Sequence, residues 1–232
     1  MTKKKLQRFA EMEDFANVVQ PPFADVFGKD YYLKGNWHPL EFKNDNPIIL
    51  ELGCGKGEYT IELARRNPDK NFIGVDIKGS RIWRGARTAL SEKLGNVRFL
   101  RTRIEVINSF FSMNEVSEIW ITFPDPQLKK KRKRLTSSRF LARYAGFLHD
   151  RGLVHLKTDN KVLYEYTLRL AEINRFEIRL KTDDLYHSVI NDEILEIKTF
   201  YEKGFLEQGM NINYLCFSLP HETKIQEPAD EN

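Results

Sequence analysis

Short apolar runs that alternate with stretches of helical spacing leave this 232-residue chain few folds to adopt. The runs are IILEL at 48–52, NFIGVDI at 71–77, VRFLR at 97–101, SEIWITF at 117–123 and LVHLK at 153–157. Each is short, rich in β-branched or aromatic residues, and followed by a candidate helix: 59–66, 81–94 with Ser80 as its cap, 104–111, 137–149 and 162–173. In 137–149 the residues Phe140, Leu141, Tyr144 and Phe147 recur at helical spacing, and Leu163, Tyr166, Leu170 and Ile173 form a stripe in 162–173. Strands that alternate with helices predict an α/β fold, with a mainly parallel sheet covered by helices on both faces. The last quarter departs from that rhythm. Strands are expected at 176–181 and 211–219, paired with each other across an irregular stretch at 182–197 and a helix at 199–208 that Gly209 ends.

This pattern divides the chain into a lead-in at 1–46, a main domain at 47–219 and a polar tail at 220–232. Pro21 and Pro22 forbid a regular helix where they stand, and the basic start of the lead-in reads either as a frayed terminus or as an RNA or cofactor contact. The tail is expected to be disordered. Net charge is only +4, so placement matters more than total: cations concentrate at 3–8, 81–87 and 129–134, while acids gather in the tail. That asymmetry favours a localised anionic partner. Cys54 and Cys216 lack paired spacing, which points to a reducing compartment and a cytoplasmic protein. No apolar run approaches the length of a membrane span, and the start of the chain carries no apolar signal core. The histidines are scattered without ligand spacing, so no metal is expected.

The glycine-rich ELGCGKG at 51–57 sits where the first strand turns into the first helix, the edge at which doubly wound sheets bind ligands. Gly53 and Gly55 let a ligand approach backbone closely. A dinucleotide fingerprint would want a glycine at Glu58, and a carboxylate at Glu51 would repel pyrophosphate. Glu51 suits instead a cationic ligand such as the ammonium and sulfonium of S-adenosyl-L-methionine. Asp76 ends the second strand, where an acid accepts hydrogen bonds from ribose hydroxyls.

The fourth run stops at Pro124, presents Asp125, and is followed after Pro126 by Gln127, Leu128 and the unbroken cations Lys129, Lys130, Lys131, Arg132, Lys133 and Arg134. A buried strand that delivers one acid beside concentrated positive charge places a reacting group next to a polyanion, here read as RNA. The cations would contact phosphates, giving affinity and salt dependence rather than sequence reading. At the end of the fifth strand, KTDN at 157–160 puts Asp159 on the same edge as Asp125, where it could reach the acceptor base or cap the next helix.

These motifs, in this order and joined by TFYE at 199–202, are similar to those of the bacterial class I tRNA (guanine-N7)-methyltransferases. The likeness runs from about Asn44 to Leu219, and the PDP with its basic run and the TFYE element are its most specific parts. It implies a Rossmann-like class I S-adenosylmethionine-dependent methyltransferase fold with an antiparallel C-terminal strand. It also implies transfer of a methyl group from S-adenosyl-L-methionine to N7 of guanine 46 in the tRNA variable loop. By the same resemblance Glu51, Gly53, Gly55, Asp76 and Asp125 bind the donor, Asp125 is also the active-site acid, and Lys129, Asp159, Thr199, Phe200, Tyr201 and Glu202 contact tRNA. Arg103 stands where the family carries an acid near the adenine, so the position is retained without the side-chain role. Gln127 replaces the usual aromatic, and the basic stretch is two residues shorter than the commoner form. A monomer or homodimer is expected. The competing readings are a methyltransferase acting on an exocyclic amine, which would want an aromatic at Gln127, and a non-catalytic RNA-binding protein on the same scaffold.

Overall fold

In the first half of the chain the apolar runs are buried strands: β1 (Val18–Val19), β2 (Ile48–Leu52), β3 (Asn71–Asp76) and β4 (Val97–Arg101), all parallel in the order β1-β4-β3-β2. The computed structural model describes residues 3–221 and 224–229, with side chains from residue 6 onward. These residues form two compact units that divide in sequence between Ser112 and Met113.

In the first unit the helices are α1 (Lys3–Glu13), α2 (Phe23–Val26), α3 (Glu58–Arg66) and α4 (Gly79–Ser91). Helices α3 and α4 lie close to the sheet because glycines let them. A Cβ on Gly57 or Gly85 would come within 2.6 or 2.7 Å of the Phe99 ring, and one on Gly74 would meet the same ring at 2.9 Å. Helix α4 starts at Gly79 with Lys78 as its N-cap, so Ser80 lies inside the first turn instead of capping it. The expected helix at 104–111 is a 3₁₀ stretch, Ile104–Ser109, broken where Val106 leaves helical backbone (φ −113°, ψ 19°).

The lead-in belongs to this unit. Trp83 of α4 donates its indole N–H to Glu11 of α1 at 2.7 Å, and the Arg8 guanidinium lies 4.5 Å over the Trp83 ring. Asn17 reaches the Ala86 carbonyl, β1 adds to β4, and Trp37, fully buried, donates to the Phe110 carbonyl at 2.8 Å. A frayed arm is therefore not what residues 6–46 form, although residues 1 and 2 lie outside the described part.

The second unit holds β5 (Val116–Thr122), β6 (Leu148–Thr158), β7 (Ile178–Thr182) and β8 (Asn213–Leu219), with α5 (Ser138–Tyr144), α6 (Lys161–Ile173) and α7 (Phe200–Glu207). Strands β5 and β6 are parallel, while β8 runs antiparallel to both β6 and β7. The helix expected over 137–149 stops at Tyr144; a turn at 145–147 follows, and β6 opens at Leu148, five residues ahead of the expected strand. Burial explains the error: Phe147 and Leu148 are fully buried by the turn and strand they stand in, so an apolar helical stripe had a second solution.

The tail departs from expectation too. His221 bonds the Leu148 carbonyl at 2.8 Å, and Gln226 exchanges hydrogen bonds with the Asn174 side chain at 2.7 and 2.9 Å. Residues 224–229 are thus docked; 222, 223 and 230–232 lie outside the described residues. Among the described residues no helix is long and apolar enough to cross a membrane, and no group of His, Cys, Asp and Glu is arranged as a metal site.

Candidate active site

Strand β2 delivers Glu51 into the core, where the side chain is buried and its carboxylate accepts both the N–H (2.8 Å) and the hydroxyl of Thr60 in α3. The turn that follows is built on positive φ: Gly53 at 80°, Gly55 at 57° and Gly57 at 71°. The Gly53 and Cys54 N–H groups both donate to the Val75 carbonyl, at 2.8 and 3.0 Å, which lashes the turn to the end of β3. Asp76 completes the lashing, accepting from the Gly55 N–H at 3.0 Å and the Lys78 N–H at 2.7 Å. The glycine motif and Asp76, separate in sequence, are therefore one structure.

This cradle fits a cationic nucleoside. A Cβ built on Gly55 meets nothing nearer than the Gly53 carbonyl at 4.0 Å, so the second glycine faces open space, whereas Gly57 is consumed by packing. Burial pushes the Cys54 thiol well above its ordinary range, and the Glu51 and Asp76 carboxylates push it further, which registers the negative field at the turn. Beside Asp76 opens a cleft of about 330 Å³ lined by Gln20, Phe23, Ile77, Thr102 and Arg103. Arg103 is exposed and its guanidinium lies 5.0 Å over the Phe23 ring, so the lead-in supplies one wall of this cleft.

In the second unit, β5 ends in register with β6, Thr122 opposite Lys157, and the Phe123 N–H donates to the Lys157 carbonyl at 2.8 Å. The chain then turns sharply. Phe123 (φ 46°) and Gln127 (φ 47°) both occupy the left-handed region that side chains other than glycine rarely adopt, bracketing Pro124, Asp125 and Pro126. Asp125 is exposed, and its carboxylate accepts the Gln127 N–H at 3.0 Å, closing an Asx turn. The turn therefore holds Asp125 between two left-handed residues, facing solvent.

The six cations after it do not share one environment. Lys129, Lys130, Arg132 and Lys133 are exposed and Lys131 half-buried, with 131–133 wound in a 3₁₀ turn. Arg134 is buried at 2% exposure, donates Nε–H to the Pro126 carbonyl at 3.0 Å, and lies 4.3 Å over the Tyr166 ring. It is absent from the basic surface on which its neighbours stand.

Asp159, half-buried past the end of β6, has its carboxyl held above the ordinary range by burial. The cap of α6 is Asn160, whose side chain accepts the Leu163 N–H at 2.9 Å, so Asp159 is not the helix cap. Thr199 and Glu202 form a capping box at the start of α7. Glu202 is fully buried and paired with Lys157 at 2.8 Å; Lys157 also donates to the carbonyls of Leu195 and Ile197 and to the Tyr186 hydroxyl. Burial draws the Lys157 ammonium below its usual range, against the pull of Glu202. Phe200 and Tyr201 remain exposed on α7, and Phe205 of the same helix touches Phe123, ring centroids 5.9 Å apart. The Asp125 turn, the end of β6 and α7 thus adjoin one another within this unit.

A family model described as "Putative methyltransferase" matches residues 45–215. The chain is 52% identical over 231 residues to the tRNA (guanine-N(7)-)-methyltransferase of Bacteroides thetaiotaomicron, covering all of this chain and 92% of that one. It is 54% identical to the enzyme of that name from Christiangramia forsetii, over 94% of this chain and 99% of the relative. The chain belongs to the tRNA (guanine-N(7)-)-methyltransferase family. Its fold is also that of the crystal structure of 16S rRNA methyltransferase KamB, with TM-score 0.62 at 14% identity, over 82% of this chain and 95% of that one.

In this tRNA (guanine-N(7)-)-methyltransferase family member, the motifs rest on supporting residues that carry no motif of their own. Thr60 holds Glu51, Phe99 fixes the glycine turn, and Lys157 with Tyr186 ties down the segment leading into TFYE. Only the T-x-x-E spacing of the capping box was available as a local signal.

Proposed function

We propose that this protein transfers a methyl group from S-adenosyl-L-methionine to N7 of guanine 46 in the variable loop of tRNA. The observation that carries this reading is identity of 52% across the whole chain to a tRNA (guanine-N(7)-)-methyltransferase, together with the strained, exposed Asp125 turn at the end of β5. When bound, S-adenosyl-L-methionine supplies an electrophilic methyl group on a sulfonium. Glu51 answers the cationic end of the donor, the backbone at Gly53 and Gly55 admits it, and Asp76 takes the ribose hydroxyls. The cleft beside Asp76 receives the adenine, with backbone at Arg103 in place of the family's acid.

Guanine N7 carries a free lone pair, so attack needs no proton removed. What the protein must supply is alignment of the reactants and an answer to charge. The purine becomes cationic as the methyl arrives, and a fixed carboxylate at Asp125 stabilises that charge or holds the base through its N1 and N2 hydrogens. Asp159, with its raised carboxyl, is suited to the same base edge. Exposed Phe200 and Tyr201 offer rings to unstacked nucleotides. Lys129, Lys130, Lys131, Arg132 and Lys133 take the phosphates. We read the protein as a monomer or a homodimer. Two buried, unpaired cysteines suit the reducing cytoplasm.

Incubation with unmodified tRNA and methyl-labelled donor, followed by strand scission specific to 7-methylguanosine, tests the proposal. Scission at position 46 is the expected result. Label in any other nucleoside overturns it.

A further inference from the structure

Arg134 is an expensive residue to bury, and its surroundings show what its burial achieves. Pro126 has no N–H, so its carbonyl is the one backbone hydrogen-bonding group it offers the Asp125 turn. The Arg134 Nε–H donates to that carbonyl at 3.0 Å while the planar guanidinium lies 4.3 Å over the Tyr166 ring. The guanidinium thus meets the ring with its charge while its Nε–H is spent on the carbonyl. The Tyr166 hydroxyl in turn donates to one carboxylate oxygen of Glu227 in the tail, and the other oxygen accepts the Ser138 N–H at the start of α5 at 3.1 Å. The tail is fixed on both sides of Glu227 by the Gln226–Asn174 bonds and by buried Pro228. Burial weakens the hold of Arg134 on its charge, and Glu227 opposes that loss.

We infer that Glu227 is a positioning residue for methyl transfer: through Tyr166 and Arg134 it fixes the Pro126 carbonyl and with it the turn that carries Asp125. The inference rests on the reading of Asp125 as the acid that meets the acceptor base. Glu227 itself touches neither reactant. A stretch that composition marks as a dispensable polar end is thus the last link in the support of the reacting group.

Full-length Glu227→Ala and Tyr166→Phe, assayed well below their melting temperatures, test it. The expected result is a kcat lowered roughly ten- to hundredfold in each, from a small misplacement of the turn, with KM for S-adenosyl-L-methionine within about twofold of wild type. The double variant should lose no more than the worse single variant, because both act through one chain of contacts. Glu227→Gln keeps an acceptor for the Tyr166 hydroxyl and should recover part of the loss; it also serves should the alanine variant not fold. A kcat within about twofold of wild type in Tyr166→Phe and Glu227→Gln, with only the melting temperature lowered, overturns the inference, as do additive losses in the double variant. Asp125→Asn measured alongside separates the two claims. Full activity there sinks the reading of Asp125, whereas loss there with full activity in the tail variants sinks the relay alone.

Discussion

Asp125 is exposed and accepts the Gln127 N–H, a bond that an asparagine oxygen can also accept. Asp125→Asn therefore removes charge and little else. With the turn intact, kcat should fall by about 10²–10³, the cost of losing one preorganised electrostatic partner, while the melting temperature stays put. Turnover within a few-fold of wild type would contradict an essential charge. Asp159 gives a prediction of opposite sign for stability. Burial raises its carboxyl above the ordinary range, so the folded chain binds this proton more tightly than the unfolded chain does. Stability then falls as pH rises from the ordinary carboxylate pKa through the raised one, and the deficit persists above it. Asp159→Asn should raise the melting temperature near neutral pH, converge with wild type towards about pH 3, and lower tRNA turnover. A calorimetric scan in which the variant is less stable near neutral pH would contradict this. At this scale the strand ends that carry Glu51 and Asp76 were legible, because each acid closes a continuous apolar run. The burial of Arg134 was not, since six adjacent cations look alike and what selects one is Tyr166 and Glu227, far along the chain.

Element by element, the strands were the easiest to read, because β2, β3 and the end of β5 are buried throughout and leave continuous apolar runs. The ends of helices were harder. Helix α5 yields to β6 within a continuous apolar stretch, and the choice between them depends on tertiary packing. Helix α7 shows both cases: its capping box is a local pattern, but the same Glu202 also holds Lys157 on β6, a contact no local pattern reveals. Removing one partner of this buried pair strands the other charge. Lys157→Met should cost about 3–5 kcal/mol in urea unfolding, and pairing it with Glu202→Leu should restore part of that. A loss below about 1 kcal/mol would show that the pair does not hold the segment before α7. The basic run gives a separate prediction. Lys130→Glu with Arg132→Glu should weaken tRNA binding and flatten its log–log salt slope by roughly 0.7–0.9 for each phosphate contact removed. An unchanged slope would take these residues out of the tRNA footprint.

For the molecule as a whole, the chain forms two compact units that divide between Ser112 and Met113, with Glu51 and Asp76 in the first and Asp125 and Asp159 in the second. Its ends were the least legible parts. The lead-in and the tail are polar, and the prolines at 21 and 22 interrupt regular structure, yet α1 docks through Glu11 and Arg8 on Trp83, and the tail docks through Gln226 and Glu227. Both use polar side chains at single points, a mode of attachment that leaves no periodic trace. The proposed acceptor is N7 of guanine 46, an atom that can itself be removed. A tRNA carrying 7-deazaguanine at position 46 keeps its Watson–Crick edge and phosphates but presents a carbon where N7 was. This tRNA should compete with unmodified tRNA for binding within about twofold and accept no methyl group. Methyl transfer to it at the unmodified rate would rule out N7 as the acceptor.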